Sequence, residues 1–169
     1  IKNVIPKHLE CISAKLIEMG CTVIEYDDAV RVKAGDFIRS AKIKTLPYPG
    51  FPTDLQSPAM AVLATIPGVS RIREKIFEDR YKTASWLCKM GAQIQIRDGV
   101  AVIYGGQPLT GCTVEAEELR GGAALVIAAL AAQGITRIRG CCFIERGYEH
   151  ICEDLTALGG LLIKDRGTL

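Results

Sequence analysis

The hydrophobic positions of this chain follow the same order three times: a helical pattern that ends on a hydrophobic residue and a glycine, then short alternating strands. The endings are Met19-Gly20, Met90-Gly91 and Leu158-Gly159. A glycine directly after a helical pattern is typical of the left-handed residue that ends a helix. Repeats of this length are supersecondary units that stack to share one core. The pattern therefore predicts a domain built from repeated units.

The periodicity also places the elements within each copy. Helical spacing of apolar residues predicts three helices, over 7–19, 81–90 and 148–158. The alternating segments CTVIEY and AVRVKA predict a hairpin around Asp27-Asp28. A second hairpin is predicted for AQIQIR and VAVIYG, because Asp98-Gly99 between alternating runs is a strong turn signal. A last strand is predicted for LLIKD, residues 161–165.

A second pattern recurs between these copies. Asp54-Leu55 and Glu118-Leu119 each open a helical stretch that leads to a strand, SRIREKIF in one case and TRIRGCCF in the other. An arginine in matching context follows each strand, Arg80 and then Arg146. The resulting order of strand, helix, strand, helix, strand, strand defines a βαβαββ unit. It predicts an α/β (α+β) domain whose sheets are covered by helices.

The repeat divides the chain into three parts of one domain. Residues 1–45 correspond to the back half of a first unit, 46–115 to a second unit and 116–169 to a third. Because the first unit lacks its leading strand and helix, we expect the domain to be incomplete and the chain to be a piece of something larger.

Composition narrows the class of protein. The chain has 169 residues, 49% of them hydrophobic, and a net charge of +2 with no basic run. A single domain with a well-filled core is expected, and nucleic acid is not the expected partner. The most apolar run, AALVIAALAA, is far shorter than the roughly 20 residues that span a bilayer. The amino-terminal segment lacks the apolar stretch of a signal peptide, so a cytoplasmic protein without a membrane partner is predicted.

The seven cysteines do not form a metal-binding pattern. No C-x-x-C pair occurs, and zinc requires four convergent ligands. Cys141 and Cys142 are predicted to lie on one strand, where adjacent side chains face opposite sides. We therefore expect buried free thiols and no metal site.

Asp54 is the sharpest candidate for chemistry. It follows a proline-rich stretch, TLPYPGFP, which is expected to be a stiff, extended loop. Thr53 and Gln56 fit a capping box, whereas Ser57-Pro58 fits a later helix start, which we favour because Pro58 would otherwise interrupt the helix. A carboxylate on such a loop can act as a general base. The alternative is that Asp54 only complements the positive end of the helix.

The arginines Arg80, Arg120 and Arg146 lie at element junctions. Helix amino termini and arginine side chains bind phosphate and carboxylate groups, and Gly121-Gly122 would allow a close approach to the backbone. These residues therefore suit an anionic ligand. The alternative is that Arg80 and Arg146 only form surface salt bridges with neighbouring acids, which contribute little.

The motifs together are familiar. TLPYPGFPTDLQ, IFEDRY, MGAQI, ELRGGAALVIAALAAQG and IERGYEHI resemble the UDP-N-acetylglucosamine 1-carboxyvinyltransferase family of enolpyruvyl transferases, in order and at family spacing. The resemblance implies an inside-out α/β barrel domain built from repeated βαβαββ units. It also implies transfer of the enolpyruvyl group of phosphoenolpyruvate to the 3-hydroxyl of UDP-N-acetylglucosamine, a step of peptidoglycan synthesis that needs no metal or other cofactor.

The resemblance also implies roles for six residues. Asp54 would bind and deprotonate the sugar hydroxyl, and Glu118 would take part in proton transfer at the methylene carbon of phosphoenolpyruvate. Arg80 and Arg120 would grip the carboxylate of phosphoenolpyruvate, and Arg146 its phosphate. Ile76 would lie beside the nucleotide sugar.

Three positions depart from the family pattern. Glu118 replaces the usual Asp, Asp79 replaces the usual Asn, and Thr83 stands where a His is common. A methylene-sized shift of a catalytic carboxylate, about 1 Å, can cost on the order of 10²-fold in rate. The alternative function is therefore a divergent, non-catalytic copy that binds a sugar nucleotide or a protein partner.

The family's loop cysteine and amino-terminal lysine have no counterpart in this sequence. We therefore expect that this chain has no turnover by itself and needs a second domain of the same protein to close the active-site cleft.

Overall fold

The computed structural model describes residues 1–164. The α-helices in this range are α1 (Glu10–Met19), α2 (Gln56–Thr65), α3 (Thr83–Lys89), α4 (Leu119–Ala131), α5 (Cys141–Glu145) and α6 (Ile151–Ala157). The strands in this range are β1 (Thr22–Glu25), β2 (Val30–Lys33), β3 (Lys42–Lys44), β4 (Gly68–Arg73), β5 (Gln93–Arg97), β6 (Val100–Gly105), β7 (Thr113–Glu115) and β8 (Arg137–Arg139). Two 3₁₀ turns, Pro6–Leu9 and Thr53–Leu55, precede α1 and α2.

A four-stranded sheet lies at the centre of the fold. Its strand order is β3-β4-β6-β5, with β3 and β4 parallel and the other pairs antiparallel. Two smaller sheets are an antiparallel pair, β1 with β2, and a parallel pair, β7 with β8. The sequence between β3 and β6 thus follows the predicted order of strand, helix, strand, helix, strand, strand.

The core lies between the central sheet and helices α2, α3 and α4. Helix α2 packs on β4 and β6 and, on its other side, against α4. Leu63 of α2, Ile72 of β4, Ile103 of β6 and Leu125 of α4 are at most 1% exposed. Because α2 is enclosed by both layers, most of its residues are buried. The burial of α2 therefore fixes the position of the 3₁₀ turn that precedes it and carries Asp54.

Glycines end the three predicted helices as expected. Gly20, Gly91 and Gly159 have φ of 104°, 102° and 96°, in the left-handed region that few other residues adopt. Both predicted hairpins are confirmed, and the second turns on Asp98 and Gly99 with positive φ at both residues.

Two predictions of strand are wrong. Cys141 and Cys142 open helix α5 rather than extending β8, because Gly140 takes a left-handed conformation with φ of 72° and turns the chain. Residues 161–164 form no strand, and Asp165 lies outside the described residues. All seven cysteines are free, but none is buried, so the prediction of buried thiols is wrong: Cys88, Cys141 and Cys142 are exposed and the other four are half-buried.

The start of α2 matches neither of the two alternatives, and Pro58 lies in the first turn of the helix without interrupting it. The α-helix begins at Gln56, and Asp54 lies in the preceding 3₁₀ turn. The Thr53 capping box does not form, because the Thr53 hydroxyl donates instead to the Glu74 carboxylate. Asp54 is therefore presented just before the helix, with a side chain that is 59% exposed.

Candidate active site

Asp54, Arg80 and Arg120 meet although they come from separate parts of the chain. One carboxylate oxygen of Asp54, Oδ1, lies 2.6 Å from Nε of Arg120 and 3.7 Å from Nη1 of Arg80. Asp54 is on the turn before α2, Arg80 follows the loop after β4, and Arg120 is in the first turn of α4. The structure thus unites three of the six predicted site residues.

The guanidinium groups of this cluster are paired with Asp54 and still present donors to a ligand. Contact with the Asp54 carboxylate raises the pKa of the Arg120 guanidinium above its ordinary value, against the opposing effect of burial. Each guanidinium has five N–H donors, of which Asp54 engages only part. Two guanidinium groups therefore share the Asp54 carboxylate, and each keeps N–H donors that Asp54 does not use.

Arg80 is held in place by two further contacts. Its Nη1 donates a hydrogen bond of 2.5 Å to the hydroxyl of Thr53. Its guanidinium also lies over the ring of Phe77, 4.7 Å from the centroid, in a cation–π contact. As a result, only 19% of the Arg80 side chain is exposed.

Glu118 caps helix α4. Its carboxylate accepts hydrogen bonds from the backbone N–H groups of Arg120, at 2.9 Å, and of Gly121. The cap satisfies donors that would otherwise have no partner at the helix start. Glu118 thereby orients the turn that carries Arg120.

Thr83 lies next to this cap. A Cβ added at Gly121 would clash with the Thr83 hydroxyl and lie 2.7 Å from Oε1 of Glu118. The packing of α3 against α4 therefore requires a glycine at position 121. The groups that approach its backbone closely, as predicted for a glycine here, are the side chains of Thr83 and Glu118. Two of the departures from the family pattern, Thr83 and Glu118, thus share one place in the fold.

Ile76 and Arg146 lie outside the ion-pair cluster. The half-buried Ile76 donates its backbone N–H to Glu74, at 2.7 Å, in the loop that leads to Arg80. Arg146 is exposed after α5 and forms no ion pair with any residue in the described range. Its neighbour Tyr148 lies near enough to Arg120 to contribute to the raised pKa of that guanidinium.

Glu74 is the functional candidate that the sequence analysis missed. It is only 8% exposed, yet its carboxylate accepts four hydrogen bonds. Burial raises the pKa of this carboxyl. The hydrogen bonds from the Thr45 and Thr53 hydroxyls and from the Ile76 and Phe77 N–H groups lower it by more, so the pKa lies below its ordinary value. The available signal was the position of Glu74 in the strand pattern. Every second residue before it, Ser70 and Ile72, faces the core, so an acid two residues further on is expected to face inward as well.

Similarity to known proteins gives the family. A family model described as EPSP synthase (3-phosphoshikimate 1-carboxyvinyltransferase) matches residues 1–155. The chain belongs to this family of enolpyruvyl transferases.

Particular relatives have a more specific name. The chain is 49% identical over 166 residues to UDP-N-acetylglucosamine 1-carboxyvinyltransferase 3 of Caldanaerobacter subterraneus subsp. tengcongensis, with 98% of this chain and 40% of the relative covered. It is 50% identical over 159 residues to UDP-N-acetylglucosamine 1-carboxyvinyltransferase of Desulfofundulus thermocisternus, with 94% and 65% covered. The chain thus spans 40% of the length of the first of these relatives.

Solved structures confirm the predicted enolpyruvyl transferase-like α/β fold. The enolpyruvyl transferase NikO from Streptomyces tendae superposes with a TM-score of 0.82 at 29% identity, over 90% of this chain and 36% of that one. EPSP synthase from Acinetobacter baumannii superposes with a TM-score of 0.62 at 19% identity, over 76% and 31%, which supports the fold alone.

No helix within residues 1–164 is both long and apolar enough to cross a membrane. In the same range, no three His, Cys, Asp or Glu side chains are grouped as metal ligands would be.

Proposed function

We propose that this chain is one domain of an enolpyruvyl transferase that acts on phosphoenolpyruvate and UDP-N-acetylglucosamine in peptidoglycan synthesis. The observation that carries the proposal is the contact of Asp54 with Arg80 and Arg120. A base beside two cations suits a reaction between a hydroxyl and an anion that carries a carboxylate and a phosphate. The names of relatives at 49% identity support the choice of substrates.

Each residue of the site has a part in this reaction. Arg80 and Arg120 bind the carboxylate of phosphoenolpyruvate with the N–H groups that Asp54 does not use. Asp54 then takes the proton of the sugar 3-hydroxyl, whose oxygen bonds to the carbon that carries the phosphate while the methylene carbon gains a proton. Loss of a proton from that methyl group and of phosphate then restores the double bond.

The remaining roles surround that centre. Arg146 contacts the phosphate, and Ile76 lies beside the nucleotide sugar. Glu118 takes part in proton transfer at the methylene carbon while it caps α4.

The reaction requires more than this chain. A second domain of the same protein supplies the remaining catalytic groups and excludes water when the cleft closes, so this chain by itself has no turnover. The protein acts in the cytoplasm, where both substrates are available as soluble small molecules.

The test is phosphate release by the full-length protein, with and without UDP-N-acetylglucosamine. Release that depends on the sugar nucleotide and falls by about 10²–10⁴-fold in Asp54→Ala supports the proposal. Asp27→Ala, on the exposed hairpin turn, is the matched control and keeps full activity. Release that survives Asp54→Ala removes Asp54 from the mechanism.

The non-catalytic alternative has support in the cap that Glu118 forms. Both of its oxygens are occupied by N–H groups of α4. A folded full-length protein that binds the sugar nucleotide but releases no phosphate, and gains no activity in Glu118→Asp, establishes a binding protein instead.

A further inference from the structure

Glu74 differs from the other buried polar residues in carrying a charge. The buried polar side chains among the described residues are Ser13, Thr45, Gln56, Ser57, Ser70, Glu74 and Thr83. A buried carboxylate is costly unless hydrogen bonds compensate it. The four donors around Glu74 provide that compensation, and the proposed chemistry uses none of them.

The two oxygens of Glu74 serve different segments. Oε1 accepts from the Thr45 hydroxyl and the Ile76 N–H, both at 2.7 Å, and from the Phe77 N–H at 3.2 Å. Oε2 accepts from the Thr53 hydroxyl at 2.9 Å. One oxygen thus holds the loop after β4, and the other holds the turn that carries Asp54.

The Thr53 hydroxyl links Glu74 to the arginine cluster. A hydroxyl has one proton to donate, and Thr53 donates it to Glu74 while it accepts from Nη1 of Arg80. The direction of these two hydrogen bonds is set from both ends, because the Arg80 guanidinium only donates and the Glu74 carboxylate only accepts. Glu74 therefore orients the partner of Arg80.

From these contacts we infer that Glu74 is a positioning residue for the Asp54, Arg80 and Arg120 site, an inference that rests on the proposed function. It binds no substrate itself. It fixes the distance between the turn before α2 and the loop that carries Arg80, so that the base and the cation face the same ligand.

Glu74→Gln tests this inference sharply. Glutamine has one acceptor oxygen, which must stay with the three donors at Oε1, so its NH₂ group faces Thr53. The Thr53 hydroxyl would then accept from both the amide and Arg80, which its two lone pairs allow, but it would lose the carboxylate that accepts its own proton. The substitution thus replaces a charge-assisted hydrogen bond on the site side with a neutral one of reversed direction, while it keeps the shape of the side chain.

The experiment compares Glu74→Gln with Ser70→Ala in the full-length protein. Ser70 is fully buried on β4, the strand that leads to Glu74, and its hydroxyl accepts from the N–H of Ala41 rather than from a residue of the arginine cluster. In steady-state kinetics, we expect Glu74→Gln to raise KM for phosphoenolpyruvate about tenfold, the usual effect of losing one charge-assisted hydrogen bond. Ser70→Ala lowers Tm but leaves KM unchanged.

A second readout does not depend on activity. Hydrogen–deuterium exchange of the amides in 53–56 and 76–80 should accelerate in Glu74→Gln and remain as in the wild type in Ser70→Ala. If the wild type releases no phosphate, the proposed function fails, and exchange alone decides the positioning role. Equal KM values and equal exchange in the two variants overturn the inference.

Thr53→Val covers the case in which Glu74→Gln does not fold. It removes only the link between Glu74 and Arg80 and leaves the three hydrogen bonds at Oε1. A raised KM for phosphoenolpyruvate with a near-native Tm supports the inference. An unchanged KM overturns it.

Discussion

Strands β4 and β8 have similar sequences at their ends, SRIRE (70–74) and TRIRG (136–140), but the segments that follow them have different structures. After β4, Glu74 collects the N–H groups of Ile76 and Phe77 and holds an irregular loop. At the matching position after β8, Gly140 has a φ of 72° and starts helix α5. One residue at the end of a strand therefore selects the next element in each repeat.

The difference extends to the arginines that follow. Arg80 is largely enclosed by Thr53, Phe77 and Asp54. Arg146, in the matching place, is exposed. The same local motif thus provides a held cation in the second unit and an exposed one in the third, because Glu74 of the second unit is a buried acid that arranges its neighbours, whereas Gly140 stands at its place in the third.

The helix endings differ in the same way. Met90 is 0% exposed and packs in the main core, whereas Leu158 is 84% exposed. Both residues precede a left-handed glycine. The repeated sequence therefore gives the same helix-ending turn in both units. It does not give the same burial, because burial of the residue before the glycine depends on which other elements pack against it.

The largest expected effect contrasts these two positions. Met90→Ala should lower the free energy of unfolding by about 2–5 kcal/mol, because it opens a cavity in the core. Leu158→Ala should change it by less than about 0.5 kcal/mol. Urea unfolding of both variants measures the contrast. A large loss at Leu158 would show that a surface outside residues 1–164 covers it.

The next effect concerns the glycine that replaces Glu74 in the third unit. Gly140→Ala should cost more than about 2 kcal/mol of unfolding free energy, since it adds left-handed strain and a clash with the carbonyl of Ala116. The control is Gly134→Ala, which has a φ of 85° but open space around it, and should cost about 1 kcal/mol. Equal losses in thermal unfolding would mean that the clash is relieved by movement of α5.

A third prediction uses the lowered pKa of Glu74. Because the pKa of this carboxyl is lower in the folded state than its ordinary 4.5, the unfolded chain binds the proton more readily. The stabilisation is complete above about pH 4.5 and is lost as the pH falls through the folded pKa. Glu74→Gln should therefore be less stable than wild type at neutral pH, with a gap that narrows below pH 4.5.

Urea unfolding at several pH values between 3 and 7 checks that gap. Ser70→Ala is the control, because it has no group that titrates and its difference from wild type should be constant. A constant gap for Glu74→Gln would contradict the pKa assignment.

The smallest expected effect contrasts the two arginines. Arg80→Ala should lower unfolding free energy by about 1 kcal/mol, since it removes a hydrogen bond and a cation–π contact. Arg146→Ala should stay within about 0.5 kcal/mol of wild type. Differential scanning calorimetry of the pair measures both, and a larger effect at Arg146 would indicate a partner for it.

Much of the fold could be predicted from local patterns. The helix ends at Gly20, Gly91 and Gly159 and the turn at Asp98-Gly99 follow from backbone conformations that glycine adopts at low cost. The wrong strand at Cys141 has the same origin: the glycine before it was read as part of a strand, although Gly140 is left-handed.

The candidate site could be predicted only in part. Asp54, Arg80 and Arg120 were selected by motif, and the pairing between them needed the packing of α2 against α4 and β4. Glu74 belonged to no recognised motif, and its only signal in the sequence was its place in phase with the buried positions of β4; the donors that surround it are set by the tertiary structure.

The sequence by itself determined where helices end, where hairpins turn and which residues could carry charge to a site, because these properties depend on neighbours along the chain. The tertiary structure decided which of those charges meet. Asp54 and Arg120 are far apart in sequence, and Thr53 reaches Arg80 only through the loop that Glu74 holds. Such contacts depend on distances through space, which are set by how the helices and the central sheet pack.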